Sequence, residues 1–201
     1  MSAVGSHSGD LSLVATGAID FSAGAASYAY AQLGNGGALA MGNHSGGIKV
    51  KSGGTIDFDG GGLGGYYNYA QLGHGGIQAR GNHSSALIDV DAAGTISFKG
   101  GAGYMAYSQL GLGGTMASGN HSGVIEVGTT SGGLVLDATG NGSGSYVQLG
   151  NGGYDADGNH SGNVTVAIAG GLVQRSGTAS GNSTQIGHGG TYVSGTASGD
   201  I

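Results

Sequence analysis

One phrase recurs along this chain at almost constant intervals, and its period limits the accessible folds more than any other feature. It reads Tyr30-Ala-Gln-Leu-Gly, Tyr69-Ala-Gln-Leu-Gly, Tyr107-Ser-Gln-Leu-Gly, Tyr146-Val-Gln-Leu-Gly and, in degenerate form, Ser183-Thr-Gln-Ile-Gly. The glutamines Gln32, Gln71, Gln109, Gln148 and Gln185 are separated by 39, 38, 39 and 37 residues. Self-similarity at a fixed period of this size is the signature of stacked repeats, in which each unit buries its apolar face against its neighbours. Residues 1–201 therefore read as a single array of about five repeats, the last one degenerate, and as an excerpt of a longer array.

A second phrase lies between copies of the first: Gly42-Asn-His-Ser, Gly81-Asn-His-Ser, Gly119-Asn-His-Ser and Gly158-Asn-His-Ser. Each copy is followed by a short alternating run such as Ile48-Lys-Val50 or Ile88-Asp-Val90, then by a glycine turn and a second run such as Ile56-Asp-Phe58 or Ile96-Ser-Phe98. Apolar residues two apart indicate strands with one face buried. A further run after the Gly-Gly pair keeps a small residue at Ala40, Ala79, Ala117 and Ala156, which predicts a confined, inward-facing column. No segment shows the 3.6-residue period of a helix. The expectation is an all-β parallel β-solenoid with about four short strands per repeat, wound as two coils of about 19 residues per ~38-residue repeat. At about 4.8 Å per rung this gives about ten rungs and a rod on the order of 50 Å long.

Composition agrees with that expectation. Fifty glycines supply corners that need positive φ, and the absence of proline leaves every rung able to donate its ladder hydrogen bonds. With no cysteine, disulfide and thiolate-metal frameworks are excluded. The net charge of −6, scattered along the repeats, leaves no basic stripe for nucleic acid, and no apolar run is long enough to span a bilayer.

The repeated polar residues are the candidate functional groups. The histidines of the second phrase, His44, His83, His121 and His160, suggest a metal ladder. At two rungs per repeat they would stand about 9.6 Å apart, too far to share an ion, so no metal and no cofactor is expected. One large coil per repeat would halve that spacing and reopen the question. Asn43, Asn82, Asn120 and Asn159, together with those histidines, are expected to serve the turns. The same asparagines, with Asn141, Asn163 and Asn182, match the Asn-x-Ser/Thr acceptor pattern. His44 beside Ser45 invites a hydrolase reading, but a catalytic triad needs one unique oriented site and four copies along a rod do not supply it, so no enzyme is expected.

Tyr30, Gln32, Tyr69, Gln71, Tyr107, Gln109, Tyr146 and Gln148 share one strand face. If that face is exposed, it forms a stripe suited to stacking on sugar rings; if internal, it forms stacked aromatic and amide ladders. Strand parity alone leaves both readings open.

The Ile-x-Val and Ile-x-Phe cadence of Ile48 to Phe58, the glycine richness and the Tyr-Ala-Gln-Leu-Gly-x-Gly-Gly phrase resemble the repeat regions of filamentous-haemagglutinin-type bacterial adhesins. The resemblance covers essentially the whole chain and implies a right-handed parallel β-helix. It further implies a secreted or cell-surface stalk segment of an adhesin or biofilm matrix protein. Expected partners are an extracellular polysaccharide or neighbouring adhesin chains; the alternatives are a polysaccharide-binding module or a filament subunit that stacks end to end. The left-handed roll of trimeric autotransporter heads is a weaker likeness, because the period of about 38 residues fits it poorly.

Overall fold

The computed structural model of the chain describes residues 4–62, 64–139 and 142–201. Among these residues there is no helix, and all strand pairing is parallel. Three sheets run the length of the array. The first has nine strands and includes His44–Ser45, Ile48–Ser52, His83–Ala92, His121–Thr129 and Val164–Ala167. The second stacks Ile19–Ser22, Ile56–Asp59, Ile96–Lys99, Leu134–Asp137 and Leu172–Arg175, and the third stacks Tyr30–Leu33, Tyr69–Leu72, Tyr107–Leu110, Tyr146–Leu149 and Ser183–Ile186.

Register fixes the coil size. His83 pairs with His121, Ile56 with Ile96, and Tyr69 with Tyr107, so each residue lies beside its equivalent one whole repeat away. The chain is a parallel β-solenoid of about five turns, with one coil per repeat. The expected two coils of about 19 residues, and the ten-rung rod, are corrected accordingly. Five rungs at about 4.8 Å make a stack on the order of 24 Å long. The physical reason is that the three runs of a repeat occupy three different faces of a single wide coil, which a 19-residue coil is too narrow to enclose.

The width is filled by two cores. Ile56, Phe58, Ile88, Val90, Ile96, Phe98, Leu110, Ile125 and Leu134 form the main one, with the rings of Phe58 and Phe98 stacked at 4.6 Å. The smaller core holds Tyr69, Ile77, Tyr107 and Tyr146, covered in part by Tyr67, Met116 and Tyr154. The third sheet lies between them. Its Ala70 and Leu72 enter the main core while Tyr69 enters the smaller one, so all four residues of Tyr69–Leu72 are buried.

The expected fourth strand is instead a tight turn. Ala40, Ala79 and Ala117 are buried as predicted, and each donates its backbone N–H to the carbonyl of Gly37, Gly76 or Gly114 at 3.3 Å. The residue before each alanine, Leu39, Gln78 or Met116, has a positive φ, as do Asp155 and Tyr192 at the same position. A second such corner puts Tyr28, Tyr67 and Met105 at φ near +60°, where the later coils place Gly144 and Gly181. A left-handed conformation costs a side-chain-bearing residue about 1–2 kcal/mol, so these corners are held by the packing around them.

The glycine ending the Tyr-x-Gln-Leu-Gly phrase is required sterically. A Cβ at Gly73 would overlap the carbonyl oxygen of Gly111, and one at Gly111 would overlap that of Gly150.

Candidate functional site

The Tyr-x-Gln phrase is a clamp between coils. Gln71 donates through Nε2 to the carbonyls of Gly111 and Gly113 in the next coil, each at 3.2 Å, while its Oε1 accepts from the Tyr107 hydroxyl at 3.3 Å. Gln109 repeats the arrangement with Gly150, Gly152 and Tyr146, at 3.1, 3.3 and 3.1 Å. Gln32 reaches Gly73 and Gly75 and accepts from Tyr69, and Gln148 reaches Gly187 and Gly189. The tyrosine rings stack from Tyr30 through Tyr69 and Tyr107 to Tyr146, with centroids 4.8–4.9 Å apart. Burial pushes the Tyr69, Tyr107 and Tyr146 phenols well above their ordinary range, with neighbouring tyrosines adding to the shift for Tyr69 and Tyr107.

The open parity question is thereby answered. Gln71 and Gln109 are fully buried, as are Tyr69 and Tyr107, and Tyr146 and Gln148 are nearly so. Tyr30 is half exposed, and Gln32 beside it is partly buried. The glycan stripe is corrected for Tyr69, Gln71, Tyr107, Gln109, Tyr146 and Gln148, to which a polymer has no access; Tyr30 and Gln32 lie at the more open end of the ladder.

The Asn-His-Ser phrase divides its labour by strand alternation. Its asparagines face solvent, and Oδ1 of Asn43, Asn82 and Asn120 each accepts the backbone N–H of the next asparagine, Asn82, Asn120 and Asn159, at 3.0 Å. Asn159 passes the pattern to Thr196 at 3.1 Å. The acceptor-pattern residue Asn141 lies outside the described residues.

The histidines point inward. His44, His83, His121 and His160 are fully buried, and with His7 their rings stack at 4.9–5.2 Å with interplanar angles of 2–6°. His121 and His160 approach through Nδ1 at 2.9 Å, whereas neither nitrogen of His44 or His83 has a hydrogen-bond partner. Ser45 is therefore not bonded to His44. Burial, followed by the neighbouring histidines, pushes His44 down to about 4, His83 to about 2 and His121 to about 3, so these three are neutral at pH 7.

One coil per repeat does bring successive histidines within one rung of each other, the condition that reopens the metal question. The stacking works against an ion. An imidazole lone pair lies in its ring plane, and parallel planes do not aim two lone pairs at one centre. Among the described residues, no group of three or more His, Asp or Glu side chains is placed to hold a metal.

The second position of the Gly-x-Gly-Gly corner staples the third sheet to the first where it is polar. Asn35 donates Nδ2 to the carbonyls of Gly9 and Ser45, His74 bonds through Nε2 to the Gly46 carbonyl at 2.9 Å, and Asn151 donates to those of Gly123 and Ser161. Leu112 fills the same position by packing into the main core.

No protein-family model matches the chain, and no curated protein or solved structure matches it either. Among the described residues, no helix is long and apolar enough to cross a membrane.

Proposed function

We propose that the chain is a stalk segment of a secreted or cell-surface bacterial adhesin or biofilm-matrix protein, and that it works as a stiff spacer. One observation carries this reading: the glutamines and the outer asparagines bond to the next coil. Gln71 and Gln109 each bind two carbonyls and one hydroxyl of a neighbouring coil, and the exposed asparagines pass a hydrogen bond along the outside. Such a design spends side chains on continuity between coils. The likeness of its repeats to filamentous-haemagglutinin-type adhesins supports the surface location.

Antibodies against the folded array test the location. Labelling of intact, unpermeabilised cells of the producing organism is the expected result, and labelling only after permeabilisation contradicts it. Deleting the array from its parent protein is expected to weaken attachment or biofilm cohesion without loss of a measurable enzymatic activity.

A further inference from the structure

The tyrosines outside the clamp form a second, external line. Tyr28 and Tyr67 contact each other with ring centroids 5.2 Å apart, Tyr67 meets Tyr104 at 6.1 Å, and Tyr66 meets Tyr104 edge-on at 6.3 Å. Farther along, Tyr154 meets Tyr192 at 5.5 Å. Where the left-handed corner column changes from tyrosine to Gly144 and Gly181, the Tyr154 ring occupies the space beside both glycines. Burial first, then the hydroxyls of Tyr192 and Tyr104 and the Asp155 carboxylate, push the Tyr154 phenol up. The line thus crosses all five coils, a distance of about 20 Å.

Packing accounts for only part of it. Tyr67 and Tyr154 help to close the smaller core, but Tyr28 is 38%, Tyr104 42%, Tyr66 58% and Tyr192 72% exposed. Ser27, Ser143 and Ser180 stand at the position of Tyr66 and Tyr104 in other coils, so the corner itself does not need an aromatic residue there. Tyr28, Tyr67 and Tyr192 are held at left-handed φ, a conformation that Gly144 and Gly181 adopt without strain in the column of Tyr28 and Tyr67. Exposed rings at corners where serine or glycine serves in other coils point to a use for the rings.

We propose that this outer tyrosine line binds an uncharged, extended polysaccharide along the solenoid axis. Aromatic faces stack on the C–H faces of pyranose rings while the phenol hydroxyls meet sugar hydroxyls. One coil rise is close to the advance of one sugar in an extended β-linked chain, so the line offers a contact at each unit. Its charged neighbour is Asp155, and among the described residues no Lys or Arg stacks on these rings, which disfavours an anionic polymer. The inference does not depend on the spacer reading, since a rod can carry this line wherever it resides.

Affinity electrophoresis of the full chain in gels containing hydroxyethyl cellulose, glycol chitin, β-1,3-glucan or galactomannan tests it, with alginate as the anionic control. Retardation by at least one neutral polymer is expected, weakened on the order of ten-fold by Y66S/Y104S with an unchanged circular dichroism spectrum. Y28G/Y67G, which copies the later coils at the other corner position, is expected to weaken it similarly. No retardation by any neutral polymer, equal retardation of wild type and both variants, or a salt-sensitive preference for alginate would overturn the proposal. So would concentration-dependent dimerisation of the wild type that Y66S/Y104S abolishes, because it would assign the line to a second copy of this chain.

Discussion

At the scale of single residues, the fold depends on buried polar groups that answer one another across coils. Removing Gln109 takes one donor from each of the Gly150 and Gly152 carbonyls and the acceptor of the Tyr146 hydroxyl, although Gly152 keeps the N–H of Gly114. Gln109→Leu is therefore expected to cost about 3 kcal/mol or more, whereas Tyr107→Phe, which removes one hydroxyl, costs about 1–2 kcal/mol. Denaturant unfolding of the two variants measures the difference, and equal losses would contradict the clamp. The histidine column makes a pH prediction. Folded-state pKa values below the ordinary 6.5 mean that the unfolded chain binds protons first, so stability is full above about 6.5 and falls as pH drops towards 4 for His44 and lower for His121 and His83. His83→Phe keeps a ring in the stack and is expected to move the acid-unfolding midpoint to lower pH; an unchanged midpoint would remove the column from the account.

At the scale of elements, the strands were legible in the sequence and the coil was not. Alternation in Ile56-Asp-Phe58 and Ile96-Ser-Phe98 marks half-buried strands, and both are found with their apolar residues inward. The Ala column is confined, as its small residues predict, but a small residue after a left-handed corner looks the same in sequence as one in a strand. Tyr-Ala-Gln-Leu misled for another reason: a period of two presumes one buried face, and this strand is buried on both. The outer line is hidden in the sequence because Tyr28 and Tyr67 lie two residues before Tyr30 and Tyr69 and read as their same-face strand partners. The fifth coil offers a test of the clamp as an element. Ser183 stands where other coils have tyrosine, and Gln148 Oε1 is left buried without a partner. Ser183→Tyr is expected to stack on Tyr146, donate to Gln148 and raise stability by about 1 kcal/mol. A lower melting temperature would contradict the assigned geometry.

At the scale of the whole molecule, each of the two phrases meets its own copy because the coil closes once per repeat. Length per coil alone pointed elsewhere, since nothing in local periodicity reveals a second core. The surface ion pairs Lys49–Asp89, Lys99–Asp59 and Arg175–Asp137 also join neighbouring coils, but such exposed pairs contribute little, and stability rests on the interior ladders. The paired positions Ser12, Lys49, Asp89, Glu126 and Thr165 form one outward column, and the chain has no native cysteine. Spin labels on Ser12→Cys and Thr165→Cys, measured by pulsed electron resonance, should lie about 20 Å apart if four rungs separate them. A separation near 40 Å would mean two coils per repeat and would contradict the clamp, the histidine stack and the outer tyrosine line together.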